Sequence, residues 1–234
     1  ALKDPNPSVS GQGYDRLKAA GIAVTQGVCA ESAAAELAGF LLRMERGWGR
    51  VRLKLGCSLD GRTAMASGES QWITGAAARK EVQQLRAQSD AVITGAGTVG
   101  ADDPQLNVRD PGLLAKPLEQ PLRVVLDSAL RAPSNRQIFS DHTLVVHGLG
   151  EGASYAETTP GAVEYLPLAG GPRNLAGLLE VLAQRGCNNV LVEAGPKILG
   201  SFLHAAQEAP LWDEWICYIA PMAMGSATLP LAEF

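Results

Sequence analysis

Short apolar runs alternate with amphipathic segments along most of the chain. Seven of these runs are rich in β-branched and aliphatic residues and are bounded by Gly, Pro, Asp or Asn, which predicts strands. They lie at 51–56, 90–94, 122–126, 143–147, 163–166, 189–192 and 215–219. Because the segments between the runs are short or have helical periodicity, the pattern predicts an α/β domain.

Helical periodicity marks the remaining elements. Apolar positions at i, i+3, i+4 and i+7 predict a helix over 33–46 that stops at Gly47. Three further helices are predicted by their first residues. We expect Thr74 and Asn174 to cap two of them and Pro196 to open the third.

Composition and charge narrow the class of protein. The chain has 234 residues, 46% hydrophobic and 19% charged, with a formal net charge of −4, which fits one folded domain plus part of a second. No apolar run approaches the ~20 residues that span a bilayer, and the N-terminus has no signal pattern. We therefore expect a cytoplasmic protein without a membrane partner. The absence of basic runs argues against a nucleic-acid partner.

Cysteine and histidine spacing gives no sign of a metal site. The four cysteines stand singly, without a C-x-x-C pair, and the three histidines lack ligand spacing. We expect reduced thiols, mostly in the core, and no metal ion bound by these residues.

Two glycine-containing loops follow predicted strands. The first, residues 94–100, contains G-x-G-x-x-G, but the Asp103-Pro104 pair excludes the long helix of a dinucleotide fingerprint. A tight turn is at least as well favoured there as a phosphate site. The second, residues 192–201, runs directly into a helix whose first amides favour an anion. Since Gly195-Pro196 is also an ordinary helix start, its spacing leaves both interpretations open.

Polar residues concentrate at the first strand. Lys54 interrupts an apolar run, and alternation places it on the face of Arg52 and Gly56. This face is either solvated or lines a cleft in which Lys54 donates to an anionic or carbonyl-bearing ligand. Arg86 and Arg109 are two further cations that either converge on a phosphate or lie at the surface.

Several separated motifs resemble the bacterial bifunctional riboflavin-biosynthesis deaminase/reductase family. They are RLKL at 52–55, SLDGRTA at 58–64, SGESQWIT at 67–74, LRA at 85–87, DDPQL at 102–106 followed by Arg109, and VEAGP at 192–196. The resemblance covers nearly the whole chain. It implies a dihydrofolate-reductase-like α/β domain over residues 49–234, with a mixed sheet flanked by helices. In this family the domain uses NADPH to reduce 5-amino-6-(5-phosphoribosylamino)uracil to its ribitylamino counterpart.

The same resemblance assigns residues 1–48 to the end of a cytidine-deaminase-like domain. A short helix at 14–18, a brief strand at 22–24 and the helix at 33–46 are too little to bury a core. Neither the H-x-E nor the P-C-x-x-C motif of the zinc-dependent deaminase occurs, so we expect zinc and deamination only in an absent part of that domain. We also expect the strands that finish the family's sheet to be missing from the C-terminal end.

The resemblance further implies roles for individual residues. It makes Lys54 and Glu193 the catalytic residues. NADPH is expected to contact Gly56, Trp72, Thr98, Asp102, Ser128, Gly195, Pro196, Lys197, Ile198, Leu199, Gly200 and Ser201. The substrate is expected to meet Ser70, Arg86, Leu106, Arg109 and Glu193. Family members associate through this domain, which implies a homo-oligomer.

Two other functions stay open. One is a pterin- or folate-like reductase on the same fold, because a fold does not fix its substrate. The other is an inactive nucleotide-binding or oligomerisation module. A phosphate-free pterin would not need Arg86 and Arg109, so these arginines distinguish the first alternative from the riboflavin-type reductase.

Overall fold

The chain folds around a parallel β-sheet. The computed structural model describes residues 2–65, 73–113, 120–155, 162–205, 210–226 and 228–233. Its strands are β1 (Arg50–Ser58), β2 (Arg62–Ala64), β3 (Ala91–Gly95), β4 (Leu122–Leu126), β5 (Thr143–His147), β6 (Val163–Pro167), β7 (Asn189–Val192), β8 (Glu214–Ala220) and β9 (Leu229–Pro230). Seven of them form one sheet in the order β6-β5-β4-β3-β7-β1-β8. Every ladder of this sheet is parallel, while β2 and β9 form a separate antiparallel pair.

The described residues form seven α-helices, four of which contribute to the cores on the two faces of the sheet. They are α1 (Gln12–Ala19), α2 (Ala30–Glu36), α3 (Ala38–Arg46), α4 (Ala76–Ala87), α5 (Ala96–Asp102), α6 (Leu175–Gln184) and α7 (Pro196–Ala205). Residues of α4 and α5 join the core cluster on one face, and residues of α6 and α7 join the cluster on the other. Burial on both faces explains why β3 and β5 read as unbroken apolar runs. The α/β fold and all seven predicted strands are confirmed. The expected sheet was mixed, whereas the seven strands of the described sheet are all parallel.

Several local predictions were wrong, each where a tertiary contact or a turn decides the structure. The helix predicted over 33–46 is two helices that meet at Leu37. In α3, Gly39 packs so close to the Asn188 carbonyl that a Cβ would lie 2.3 Å from its oxygen, while α2 buries no residue. Thr74 does not cap α4, because Gly75 occupies the N-cap position in an extended conformation. The predicted strand at 22–24 is irregular, with Ile22 52% exposed and no strand beside it among the described residues.

Two helix starts and one helix end agree with the sequence. The Asn174 side chain accepts a hydrogen bond from the Gly177 amide at 3.0 Å, and α7 begins at Pro196. Gly47 ends α3 with φ 91°, a conformation that glycine adopts without a Cβ penalty. These positions were readable because the capping chemistry is local.

The helix α3 is bound to the body of the sheet. Arg43 donates to the Asn188 side chain at 2.8 Å and to the Ala183 carbonyl at 3.2 Å. Arg46 makes two hydrogen bonds to Asp213, at 2.9 and 2.7 Å. The segment just before β1 therefore packs as part of the same unit as the sheet.

The two glycine loops come together at the carboxyl ends of β3 and β7, which are neighbours in the sheet. From β3 the chain continues through α5 to β4 on one side, and from β7 it continues through α7 to β8 on the other. Strand pairs whose connections leave in opposite directions open a crevice at their carboxyl ends, where open α/β sheets bind ligands. The topology thus predicts the ligand cleft at this edge.

Candidate functional site

A buried carboxylate held between two cations lies at this edge. Glu193 follows β7 and is 8% exposed. It accepts two hydrogen bonds from Arg86 of α4, from Nε to Oε1 at 2.6 Å and from Nη2 to Oε2 at 3.0 Å. The Lys54 Nζ lies 3.5 Å from Oε2. Arg86 also donates from Nη1 to the Asn107 carbonyl at 3.2 Å, so all three of its nitrogens are engaged.

The charges of this cluster fix the protonation state of the carboxylate. Burial raises the pKa of Glu193, but the charges of Arg86 and Lys54 outweigh burial and hold it below its usual range. Glu193 is therefore ionised at neutral pH. Two cations against one carboxylate leave this cluster with one net positive charge, which suits an anionic or carbonyl-bearing ligand.

The Lys54 face of β1 is a cleft rather than a solvated surface. Arg52, on the same face, is 5% exposed and donates to Ser89 Oγ at 3.0 Å and to the Leu85 carbonyl at 3.3 Å. Helix α4 thus covers the amino-terminal half of the strand. Lys54 lies further along, with 21% of its side chain exposed, so its ammonium group can meet a ligand.

A second wall of the cleft comes from the neighbouring strand. Tyr218 of β8 pairs in register with Gly56 of β1. A Cβ on Gly56 would lie 2.9 Å from the Thr74 methyl group, so a larger residue there would require Thr74 to shift. A cavity of about 160 Å³ adjoins this point and is lined by Ile73, Thr74, Gly75, Ala78, Tyr218, Ile219, Ala220 and Pro221.

Sequence reasoning missed Tyr218. Alternation along 215–219 indicates which residues share its face, but the sequence carries no signal that β8 lies beside β1. The pairing of Glu193 with Arg86, 107 positions apart, was missed for the same reason.

The glycine loops touch each other beside this cluster. A Cβ on Gly195 would lie 3.6 Å from Thr98 Oγ1, and one on Gly95 would lie 2.4 Å from Ile198 Cδ1. The first loop is not a turn, because its residues form most of the seven-residue helix α5. A Cβ on Gly97 would meet no described atom within 4 Å, so the backbone there is open.

The second loop also meets the C-terminal segment. A Cβ on Gly200 would lie 1.7 Å from the Glu233 carbonyl oxygen, and the Glu233 amide donates to the Pro196 carbonyl at 3.0 Å. Leu199 is 2% exposed in the core, whereas Lys197 and Ser201 are exposed. The seven residues of this loop that are predicted to contact the cofactor therefore lie in different environments, which include the core, the C-terminal segment and the solvent.

Four of the remaining predicted residues lie in the segments that follow β3 and β4. Asp102 ends α5, and Ser128 follows β4, where its carbonyl accepts from the Gly148 amide at 3.1 Å. Leu106 is buried, with φ 50°. Arg109 is exposed, and its amide donates to Gln83 at 2.7 Å. Ser70 and Trp72 lie outside the described residues.

Metal-binding clusters and membrane-spanning helices are both absent from the described part of the chain. There, no group of three or more His, Cys, Asp or Glu side chains could hold a metal ion. None of the helices in those ranges is long and apolar enough to cross a membrane.

Fold and site together define a parallel α/β protein with a charged ligand cleft at the carboxyl edge of its sheet. Residues 50–233 match the family described as the RibD C-terminal domain, and the chain belongs to this family. The riboflavin biosynthesis protein RibD of Escherichia coli is 42% identical over 248 residues, which cover 100% of this chain and 66% of that protein.

Solved structures agree with this assignment. A structure of Acinetobacter baumannii RibD has a TM-score of 0.88 and 42% identity, with 100% of this chain and 63% of that chain covered. The Thermotoga maritima diaminohydroxyphosphoribosylaminopyrimidine deaminase/5-amino-6-(5-phosphoribosylamino)uracil reductase has a TM-score of 0.81 and 30% identity, covering 97% of this chain and 60% of that one. The chain thus spans 66%, 63% and 60% of the length of these three relatives.

Proposed function

We propose that this chain reduces 5-amino-6-(5-phosphoribosylamino)uracil to the ribitylamino product with NADPH. The observation that carries the proposal is the ionised Glu193 held between Arg86 and Lys54 directly beside the two glycine loops. Such a cleft offers both donors and an acceptor to a polar, phosphorylated substrate. Membership of the RibD C-terminal domain family supports the same reaction.

The residues of the crevice fit NADPH. The open backbone at Gly97, the Thr98 hydroxyl next to Gly195 and the first amides of α7 would hold its phosphates. Ser128, beyond β4, would meet the adenosine part. When bound, NADPH supplies the hydride.

The chain's own residues would bind and orient the substrate. Lys54 donates to the pyrimidine, and Glu193 accepts from sugar hydroxyls because it stays ionised. Arg109 binds the phosphate, since its exposed guanidinium has no partner among the described residues. Arg86 holds Glu193 in place and is, in this proposal, a positioning residue.

NADPH consumption tests the function directly. We expect the purified protein to oxidise NADPH only when the ribosylaminouracil phosphate is present, and Lys54→Met to lower kcat/KM about 100-fold. Lys80→Met, on the exposed side of α4, is the matched control and should leave the rate unchanged. Turnover of a dihydropterin instead would favour the pterin reductase. NADPH binding without any turnover would favour the inactive module.

Self-association is a further part of the proposal. Trp215 and Ile219 of β8 and the neighbouring Leu59 and Met222 are 39%, 60%, 73% and 47% exposed, and exposed apolar groups of this kind mark interfaces. We expect a homo-oligomer in light scattering and a shift toward monomer for Ile219→Lys. An unchanged mass for this variant would contradict the assignment of β8 to the interface.

The family also suggests a setting for the chain. Residues 1–48 would belong to a deaminase-like domain whose zinc site lies outside these residues. The reaction would take place in the cytoplasm.

A further inference from the structure

We propose that Tyr218 is an additional substrate-binding residue, whose hydroxyl donates a hydrogen bond to an oxygen atom of the bound substrate. The identity of that substrate rests on the proposed function. The placement of the tyrosine, its buried hydroxyl and the adjoining cavity are independent of it.

Tyr218 lies on the substrate side of the cleft. Because β1 and β8 are parallel neighbours, Tyr218 stands opposite Gly56 and shares the face of Ile216, which pairs with Lys54. The missing side chain at Gly56 leaves the tyrosine ring next to Thr74 at the cavity of about 160 Å³. Its volume is close to the roughly 150 Å³ of a cavity that holds one six-membered ring.

The Tyr218 hydroxyl oxygen is buried and makes no hydrogen bond of normal geometry to the described residues; the Glu81 carboxylate is the charged group that acts on it most strongly. Buried hydroxyls almost always have a partner, because an unpaired one costs stability. Tyr155 shows the usual arrangement on the same face of the sheet, since its hydroxyl donates to Asp127 Oδ2 at 2.8 Å. A ligand bound in the adjoining cavity would supply the acceptor that the described residues do not provide at normal geometry.

The surroundings keep Tyr218 protonated. Burial, then the nearby Glu81 carboxylate and the charge of Glu193, raise the pKa of Tyr218 to about 12. The phenol is therefore a donor at neutral pH and suits a neutral carbonyl or hydroxyl oxygen rather than a cation.

The test is Tyr218→Phe, which removes the hydroxyl alone. We expect KM for the ribosylaminouracil substrate to rise about tenfold, with KM for NADPH unchanged. The melting temperature should rise by about 2–4 °C, because the variant no longer buries an unpaired donor. The matched control is Tyr155→Phe, which should lower the melting temperature and leave KM for the substrate unchanged.

The outcomes separate this inference from the proposed function. An unchanged substrate KM in Tyr218→Phe overturns the inference while wild-type turnover upholds the function. A lowered melting temperature also overturns it, because the hydroxyl would then be paired within the protein, for example with Glu81. If the wild type does not turn over, the proposed function fails; calorimetric titration with the ribitylaminouracil phosphate then compares the affinities of the wild type and Tyr218→Phe, and equal affinities overturn the inference.

Discussion

Arg86 and Arg109 look alike in the sequence and differ in the structure. Both are predicted to meet the substrate phosphate. Arg86 is 9% exposed, and its three side-chain nitrogens donate hydrogen bonds to Glu193 and the Asn107 carbonyl. Arg109 is exposed, and among the described residues only its backbone amide is bonded, to Gln83. One arginine therefore organises the cleft, and the other is available to an anion.

Alanine substitutions at the two arginines should affect different quantities, KM for the substrate in one case and the free energy of unfolding in the other. Arg109→Ala should raise KM for the substrate at least tenfold, because a charge-assisted hydrogen bond is lost, and leave stability unchanged. Arg86→Ala should lower the free energy of unfolding by about 3–5 kcal/mol, since it leaves a buried carboxylate with a weaker partner. Steady-state kinetics and urea denaturation measure the two effects. If Arg109→Ala raised KM for NADPH equally, the phosphate assignment would be wrong.

The single carboxylate Asp60 makes the stability of the fold depend on pH. It accepts from the Ser58 hydroxyl at 2.5 Å, the Met224 amide at 3.0 Å and the Gly225 amide at 2.8 Å. These bonds, that of Ser58 foremost, lower the pKa of Asp60 to about 2. Its contribution to stability is therefore complete above about pH 4, the unfolded value, and is lost as the pH falls toward about 2.

Asp60→Asn should make this contribution visible. At neutral pH the variant should melt below the wild type, because the charge-assisted bonds to 224 and 225 weaken. The difference should shrink as the pH falls below about 4. Melting curves across this range measure it, and a difference that stays constant with pH would refute the role of the ionised carboxylate.

The individual strands and helices were predicted more completely than the order in which the strands lie side by side. Apolar runs and capping residues are local signals, so the seven strands and the caps at Asn174 and Pro196 were readable. Strand order is not local. Nothing in the sequence places β7 between β3 and β1 or β8 beside β1, and the partners of Lys54, Arg86 and Tyr218 depend on that order. The charged residues of the site were therefore identified before their arrangement was.

In helix α7, Gly200 tests whether a close contact outweighs the higher helix propensity of alanine. Gly200→Ala should lower the free energy of unfolding by about 1–3 kcal/mol, because its Cβ would fall 1.7 Å from the Glu233 carbonyl oxygen and backbone must move. Gly13→Ala in α1 is the control, since nothing lies within 4 Å of its Cβ position. Alanine should stabilise that helix by up to about 1 kcal/mol. Urea denaturation compares the two; a stabilised Gly200→Ala would contradict the close approach of the C-terminal segment.

The cleft results from the order of the strands in the sheet. The sheet changes winding direction between β3 and β7, and this brings two loops about one hundred residues apart in the sequence to one crevice. Helix α4 brings Arg86 to one side of it, and β8 brings Tyr218 to the other. Each of these two side chains thus comes from a regular element, which favours a preformed geometry.

The contacts of α3 with the sheet limit how far the chain can be shortened from its N-terminal side. Asn188 accepts from the Arg50 amide at 2.7 Å and from Arg43 at 2.8 Å, and its carbonyl leaves no room for a Cβ at Gly39. The family match begins at residue 50, but we expect α3 to unfold together with the sheet, because Arg43 and Arg46 bind it there. A protein engineer seeking the smallest stable fragment should therefore cut ahead of residue 38, not at the edge of the family match.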